Sequence, residues 1–265
     1  MMITRAERGE QVQSGHQGSI DRGVYVYGIV YHREKLPEEL PSVGDGEAEV
    51  DLASYGKLSA LVSEVQLSRP LGTREDLLAH ERVLDALAAE ATVIPMRFGS
   101  VVSNKEAVIN ELLAPHEGHF NETLSELAGL VQFTVRGRYA NNTHLREIVS
   151  EEPEIQELRA VVQDMPEDAG YAERLRLGEL VNNAVVRKRE VDTETLISSL
   201  ENSSAAFVSH AVAGEDDAMH VAFLVDREAV AQFEHELDEL GGQWGGRLNL
   251  RLIGPLAPYD FLPEA

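Results

Sequence analysis

Histidines are the side chains in this sequence that are best suited to chemistry, and His116 and His119 are the most closely spaced pair. They lie in the segment His-Glu-Gly-His, directly after Pro115. The His-Glu-x-x-His motif of zinc enzymes places its histidines four residues apart on a helix, so that both rings reach one metal ion. A zinc site also requires further ligands at a recognisable spacing. The pair therefore predicts a loop, and a metal site is the alternative interpretation.

His80 is the histidine most suited to act as a base, because it shares the apolar face of a predicted helix with Leu84 and Leu87. A buried imidazole with a shifted pKa is a frequent general base. A core histidine that hydrogen-bonds a backbone group produces the same pattern, and we favour this second interpretation. His235, between two glutamates, falls on the polar face of another predicted helix and is expected to be solvated.

Glycine-rich and nucleophile motifs give no stronger indication of catalysis. The richest glycine cluster, at 241–246, follows a predicted helix, whereas a phosphate loop needs its N–H groups at a helix N-terminus. The cluster is therefore expected to be a helix C-cap and turn. No serine lies in a Gly-x-Ser-x-Gly elbow, and no carboxylate pair can be assigned to one site. The sequence predicts no catalytic, cofactor-binding or metal-binding residue, no cofactor and no enzyme activity.

Charge narrows the classes of partner. The 265 residues include 23 Lys and Arg against 46 Asp and Glu, which gives a net charge of −23. A field of that sign repels phosphate backbones and lipid headgroups, so neither nucleic acid nor a membrane is expected as a partner. The one tight basic run, Arg187-Lys188-Arg189, has glutamate neighbours and is expected to be a solvated helix face. The acidity fits a high-salt cytoplasm or ordinary solubility, and the sequence leaves both open.

Cysteine is absent, which excludes disulfides, thiolate catalysis and iron–sulfur clusters. Residues 1–20 contain no apolar signal-peptide core, and no apolar run approaches the roughly 20 residues of a membrane-spanning helix. The chain is therefore expected to be a soluble cytoplasmic protein. Hydrophobic residues make up 43% of the sequence, enough for one large core or two ordinary ones.

The first half of the chain is predicted to be an α+β domain at residues 23–128, after a disordered leader at 1–22. Thr73 and Asp76 match a capping box and predict the start of a helix. Runs of β-branched and alternating apolar residues indicate the strands. These strands are expected at 24–31, 50–52, 58–65 and 93–99.

The second half, residues 129–254, is predicted to follow the order β, α, β, β, α, β. That order is the signature of a ferredoxin-like split βαβ unit, with helices on one face of an antiparallel sheet. A further helical stretch at 142–165 is an insertion in this scheme. The strands are expected at 130–139, 207–212, 220–225 and 248–253, with helices at 171–200 and 227–240. The fold class is therefore α+β with two domains, and the boundary is placed near Gly129.

The last residues, 255–265, are predicted to form a docked tail. Gly254-Pro255 is expected to end the last strand, because proline cannot donate a ladder hydrogen bond. Tyr259 and Phe261 follow within a few residues, whereas free tails are usually polar. The interdomain cleft is the favoured docking place, and a hydrophobic partner is the alternative.

Three segments together resemble the GvpL/GvpF family of gas vesicle proteins. They are the opening strand at 25–30, the His80 helix with the segment 93–101 that follows it, and the closing strand and tail at 252–261. The most specific parts are Pro-Met-Arg-Phe-Gly, at 95–99, and the Gly-Pro…Pro-Tyr-Asp-Phe tail. The resemblance covers nearly the whole chain after residue 23.

The resemblance implies a two-domain accessory protein of the gas vesicle, with ferredoxin-like elements. Such a protein binds the small hydrophobic shell subunit and other accessory proteins during vesicle nucleation, limits subunit aggregation, and in some cases stays as a minor vesicle component. No catalytic residue is implied. A small-molecule-binding or catalytic α+β protein is the alternative, since fold alone does not fix function. A purely structural shell component is a third interpretation.

Four residues in the most specific segments are candidate structural or partner-contact positions: Arg97, Phe98, Tyr259 and Phe261. Arg97 is expected to face away from Met96 and Phe98 and to tie its strand to a neighbouring carboxylate or carbonyl through a charge-assisted hydrogen bond. The net charge of −23 would keep a complex with an aggregating subunit dispersed, while sheet edges and an interdomain cleft would supply binding surface.

Overall fold

The fold is built on two antiparallel sheets, which confirms the predicted α+β class. The structure is a computed structural model that describes residues 22–263 except 34, 38, 45, 47, 69 and 167–169. The predicted leader lies outside the described residues apart from Arg22, which opens the first strand. The strands are β1 (Arg22–Tyr31), β2 (Asp51–Tyr55), β3 (Leu58–Gln66), β4 (Val93–Pro95), β5 (Val101–Val102), β6 (Leu130–Tyr139), β7 (Ala206–Ser209), β8 (Asp217–Asp226) and β9 (Leu248–Leu256).

Helices cover the sheets and also form a separate bundle. In the described residues, none of them combines the length and apolar character needed to cross a membrane. They are α1 (Arg74–Glu90), α2 (Lys105–Ala107), α3 (Glu117–Glu126), α4 (Thr143–Glu151), α5 (Pro153–Gln163), α6 (Tyr171–Leu200) and α7 (Val230–Gln243). A π-helical segment, Val108–Leu113, continues α2, and single 3₁₀ turns occupy Glu201–Ser203 and Tyr259–Phe261.

The first sheet has the order β2-β3-β1-β4, and β5 also pairs with β1. Strand β1 is buried along all but its end residues, because both of its faces are covered. Tyr25 and Tyr27 pack on the α1 side, whereas Val24 and Val26 pack on the side of α3. A register shift between Val26 and Gly28 exchanges the faces for the rest of the strand, as a β-bulge does.

Helix α1 begins with the predicted capping box. The Thr73 hydroxyl accepts from the Asp76 N–H at 3.1 Å, and the Asp76 carboxylate accepts from the Thr73 N–H at 3.0 Å. The same carboxylate also accepts from the Gly44 N–H at 3.0 Å, so it fixes a distant loop as well as the helix. Asp76 is buried, and its backbone partners satisfy it there. This cap sets the rotation at which α1 presents His80 to the sheet.

The second sheet has the order β7-β8-β6-β9, which is compatible with the predicted split βαβ unit. One face packs against α6 and α7 through a core that includes Phe133, Phe223 and Phe233. We call the opposite face of this sheet the outer face. Because side chains alternate along a strand, the polar residues between these core positions lie on the outer face.

Several predicted strand ends differ from the structure: β2 runs on to Tyr55, β7 already ends at Ser209, and β8 begins at Asp217. Strand β4 ends at Pro95, so residues 96–99 form a turn instead of continuing the strand. Strand β9 does not stop at Ile253 but runs through Gly254-Pro255 to Leu256. Proline is tolerated there because β9 is an edge strand, whose outward N–H groups have no ladder partner. Gly254 is required by close packing, since a Cβ at this position would lie 2.5 Å from Phe133 Cδ1.

The helical insertion forms a bundle in which α4 and α5 pack on the N-terminal half of α6. Its small core is centred on Ile148, Ile155 and Ala184. The base of the bundle is attached to the second sheet by a polar network around Arg247. The Arg247 guanidinium donates to Glu147 at 2.9 Å through Nε and to both oxygens of Asp192 at 2.8 Å through one terminal nitrogen.

Asp192 is the buried member of this network, with 5% of its surface exposed. The Tyr139 hydroxyl of β6 donates to it at 2.7 Å. The carboxylate therefore has one partner from β6 and another, Arg247, from the residue before β9. On the other side of Glu147, Lys188 bridges to Glu147 at 2.8 Å and to Glu151 at 3.0 Å. Arg187 and Lys188 thus hold α6 against the α4 region, while Arg189 donates to the carbonyls of Gly214 and Glu215, so the basic run is engaged within the described chain.

Arg247→Ala should lower the free energy of unfolding by about 3 kcal/mol, because it leaves the buried Asp192 carboxylate without its cationic partner. Arg187→Ala is the matched control, since Arg187 pairs with Glu152 at the surface and should cost less than about 1 kcal/mol. Urea denaturation of both variants measures the difference. Equal effects would mean that the Arg247 network does not hold the bundle.

Candidate functional site

His80 is a buried polar side chain of the first half that lies between two tyrosines. Its Nδ1 is 3.0 Å from the Tyr25 hydroxyl and its Nε2 is 2.7 Å from the Tyr259 hydroxyl. A neutral imidazole has one donor and one acceptor nitrogen, so one tyrosine donates to the ring and the other accepts from it. His80 is 3% exposed, whereas Tyr259 reaches it from the surface of the tail. We call these three residues the tail junction.

The Pro-Met-Arg-Phe-Gly segment contributes to the tail junction through its turn. The Gly99 N–H donates to the Tyr25 hydroxyl at 3.0 Å, and the Phe98 ring meets the His80 ring edge-on with centroids 5.6 Å apart. Tyr27 stacks on the other side of His80 at 5.9 Å. The imidazole is therefore enclosed by aromatic rings and bonded at both nitrogens.

The electrostatics of the tail junction favour neutral groups. Burial lowers the pKa of His80 to about 4, against the opposing effect of a hydrogen bond with the Met96 backbone. Burial likewise raises the pKa of Tyr25 to about 12 and raises that of Tyr259 above its ordinary value. A histidine that stays neutral and has both nitrogens occupied is a hydrogen-bonded spacer and a poor general base.

The tail, residues 257–263, contacts both halves of the chain through neighbouring residues. Tyr259 bonds His80 of α1, while the Asp260 carboxylate turns to the second sheet. It accepts from Gln132 Nε2 at 2.6 Å and lies 3.1 Å from His210 Nε2. The Gln132 side chain also accepts from the Asp260 N–H at 3.2 Å. The two consecutive side chains thereby bridge the sheets.

Apolar contacts place the rest of the tail. Ala257 is buried in the core between α1 and the first sheet, and Leu262 packs on the core at the opposite face of that sheet. The Asp85 carboxylate of α1 accepts a hydrogen bond from the Ala257 backbone. Burial raises the pKa of Asp85 to about 6, because it outweighs this hydrogen bond, which acts to lower the pKa.

The four candidate residues from the sequence are found in different settings. Phe98 and Tyr259 both touch His80, and Phe261 lies half-buried in the 3₁₀ turn of the tail. Arg97 is exposed and its side chain bonds no described residue, so the predicted bridge is not the observed arrangement. The physical reason is that β4 ends at Pro95, which places Arg97 in a turn instead of a strand.

The sequence did not indicate the second anchor of the tail. Asp260, Gln132 and His210 come from three distant segments, and their meeting depends on the register of β6 with β8 and β9. The signal that was available is the spacing of Tyr259 and Asp260, two hydrogen-bonding side chains directly after the last strand. Consecutive side chains in an extended or 3₁₀ segment point in different directions, and so reach different elements.

The remaining sequence candidates lie outside this site. His116 and His119 both contact the Phe120 ring, with centroids 6.0 and 5.9 Å from it. His116 precedes the first turn of α3, so the predicted loop extends only to that residue. Within the described parts of the chain, no three His, Asp or Glu side chains are grouped closely enough to hold a metal ion.

Tyr259→Phe should destabilise the protein by about 1–2 kcal/mol, because it leaves one buried His80 nitrogen without a partner. Tyr171→Phe is the control, since Tyr171 is 81% exposed. Chemical denaturation should therefore separate the two variants. If Tyr259→Phe unfolds like the wild type but no longer binds partner proteins, the tail is a partner-binding peptide and its contact with His80 is incidental.

Asp85→Asn should stabilise the protein above pH 6 and do so less as the pH falls. An acid whose pKa is raised from 3.8 to about 6 holds its proton more tightly in the folded state, so wild-type stability falls as the pH rises through that interval. The amide keeps an acceptor for the Ala257 N–H without a buried charge. We expect a gain of about 1–2 kcal/mol at pH 8 and roughly half of it at pH 5.

His80 acts in the opposite direction, which is why a variant is needed to reveal the Asp85 effect. Its pKa is lowered from 6.5 to about 4, so its contribution to stability is lost as the pH falls through that interval. The melting temperature of Asp85→Asn minus that of the wild type, recorded from pH 5 to 8, cancels the His80 contribution. Asp238→Asn, an exposed change on α7, should give a flat difference. A flat difference for Asp85→Asn as well would contradict the prediction.

Known proteins resemble this chain over nearly its whole length. Residues 23–263 match the family described as gas vesicle synthesis protein GvpL/GvpF. Gas vesicle protein F of Streptomyces sp. (strain CB03234) is 32% identical over 243 residues, covering 90% of this chain and 98% of that protein. Gas vesicle protein L1 of Halobacterium salinarum is 22% identical over 275 residues, covering 96% and 95% respectively.

Solved structures agree in fold. The crystal structure of the gas vesicle protein GvpF from Anabaena sp. PCC7120 superposes with a TM-score of 0.77 at 24% identity, covering 92% of this chain and 99% of that one. The GvpF structure from Microcystis aeruginosa gives a TM-score of 0.72, also at 24% identity. The family match extends from β1 to the end of the tail, and so includes every element of the tail junction. The chain therefore belongs to the GvpL/GvpF family of gas vesicle proteins.

Proposed function

We propose that this chain binds the hydrophobic gas vesicle shell subunit and other gas vesicle accessory proteins during vesicle nucleation, and that binding limits aggregation of the subunit. It acts in the cytoplasm, in association with the vesicle. Its family gives it a gas vesicle accessory role and is not a known enzyme family. The observation that best supports subunit binding is the free edge of the second sheet, which is formed by β7.

Within the part of the chain that the structure describes, strand β7 is an edge that lacks the usual protection. Its sequence is Ala-Phe-Val-Ser, with no charge and no proline, and it lies at the end of the strand order in the described sheet. Phe207 is 49% exposed. Edge strands are normally shielded by lysine, proline or a covering element, because unpaired N–H and C=O groups pair readily with another strand. An uncharged edge on so acidic a chain is suited to take up a strand of an apolar partner.

The net charge of the chain and the uncharged β7 edge have separate roles in this proposal. A shell subunit that aggregates needs a partner that covers an apolar strand and keeps the complex dispersed. The net charge of −23 supplies repulsion between complexes, while β7 itself carries no charge that a hydrophobic strand would have to desolvate. Edge pairing also satisfies the backbone of the incoming strand, which is the group that drives strand aggregation.

Ser209→Pro tests the edge directly. The His210 N–H donates to the His220 carbonyl, so by the alternation of an antiparallel pair the Ser209 N–H points away from β8. Proline at 209 should therefore block an added strand without removing a bond to β8. We expect the Ser209→Pro variant to lose most of the suppression of shell-subunit aggregation, whereas Ser209→Ala should retain it. Light scattering measures the aggregation, with the two proteins near a 1:1 ratio. A change of about 1 kcal/mol or less in stability would exclude simple misfolding.

The outcome also separates the other interpretations. Full suppression by Ser209→Pro would remove β7 as the binding edge. Absence of suppression by the wild type, with retention on washed vesicles, would favour a structural shell component. Turnover of a metabolite by the purified wild type would favour the catalytic alternative, which the neutral, doubly bonded His80 does not support.

A further inference from the structure

Three basic side chains lie side by side across three strands on the outer face of the second sheet. Arg136 of β6 is directly opposite His220 of β8 on one side and Arg251 of β9 on the other. Their sequence neighbours Val135, Val221 and Leu252 pack in the helix-covered core, so all three alternate residues face outward. We call them the cationic row.

The cationic row costs stability as it stands. Like charges directly opposite each other on neighbouring strands are destabilising, and here two arginines form such a pair. Burial, followed by the charge of Arg136, lowers the pKa of His220, so the two guanidiniums carry the positive charge at neutral pH. In a chain of net charge −23, acidic side chains were available to separate them. The folded chain alone gives no reason for this arrangement.

The surrounding charged groups leave the two arginines free. Arg138, the next outward residue of β6, is paired with Asp216 and Asp217 at 3.4 and 3.3 Å. His210, whose ring is 4.6 Å from that of His220, is paired with Asp260 of the tail. Arg136 and Arg251 are both exposed, and neither makes an ion pair with any residue in the described part of the chain.

A groove of about 750 Å³ lies over this region, and Arg136, Arg138, His220, Asn249 and Arg251 line part of it. Asp216 and Asp217, the partners of Arg138, line it too. Its size suits several side chains of an extended peptide. The planar guanidinium presents paired donors that match a carboxylate, and Asn249 adds an amide beside them. The open end of the outer face therefore offers a concave surface on which Arg136 and Arg251 are the cations without an ion pair among the described residues, beside the cluster of Arg138 with Asp216 and Asp217.

We propose that the cationic row is a docking site for a carboxylate-rich segment of a partner protein. The same face already binds one carboxylate of this chain, since Asp260 is held by Gln132 and His210. A short acidic segment confines its charge to the groove. A nucleic acid carries charge along its whole length, which would extend over the acidic surface that surrounds the site. The proposal does not depend on the β7 edge or on shell-subunit binding.

The test uses the full-length protein and a fluorescein-labelled Gly-Glu-Glu-Leu-Glu-Glu-Gly peptide in fluorescence anisotropy. The double change Arg136→Gln with Arg251→Gln should weaken binding by about tenfold or more, since two charge-assisted contacts are lost. Arg159→Gln, which removes an exposed arginine from the helical bundle, should bind like the wild type. Wild-type affinity should fall with added salt, and the matching glutamine peptide should not bind.

Stability distinguishes a binding role from a structural one. Because the two arginines repel each other, the double variant should melt at the same temperature as the wild type or above it. Equal loss of peptide binding in Arg159→Gln, or an unchanged affinity in the double variant, would overturn the proposal. Tighter binding of inorganic phosphate or a single-stranded DNA oligonucleotide than of the peptide would overturn it too. None of these readouts involves the shell subunit.

Discussion

The arrangement of the two sheets depends on the placement of two neighbouring side chains, Tyr259 and Asp260. Tyr259 bonds the buried His80 of α1 and Asp260 bonds Gln132 of β6, so a shift of the tail by one residue would break both contacts. The tail is fixed in turn by β9, which pairs with β6 up to Leu256. The register of β9 on β6 therefore determines where Tyr259 and Asp260 lie at the junction between the halves of the chain.

A second contact also joins the two halves of the chain across the junction. The Arg227 guanidinium donates to the carbonyls of Ala88, Ala89 and Ala91, where α1 ends. The last carbonyls of a helix lack intrahelical partners and carry partial negative charge, so a cation from the other sheet both satisfies and stabilises them. Burial lowers the pKa of Arg227, but a guanidinium stays charged well above neutral pH. The junction thus holds α1 at its C-terminal end by charge and at its middle by neutral hydrogen bonds.

Local features were the ones that the sequence predicted well. The Thr73 capping box, the buried strand predicted at 24–31 and the long helix after Gly170 each depend on residues within a few positions, and each is observed. Features that depend on distant packing were missed. Gly254-Pro255 indicates a strand end by local rules, yet contact with Phe133 and an edge position allow the strand to continue. The tail junction was likewise predicted only in part. Tyr259 could be selected from its motif, but its contact with His80, 179 residues away in the sequence, could not be predicted.

The two sheets differ in how much uncovered surface they leave, and the second sheet leaves more of it. Strand β1 is covered on both faces, so the centre of the first sheet is closed. Helices α6 and α7 pack on one face of the second sheet, and the tail covers the Gln132 end of the other. Among the described residues, Arg136 and Arg251 on the outer face and Phe207 on the β7 edge stay exposed. Docking of the tail therefore closes the junction and also sets the boundary of the surface that is left to other proteins.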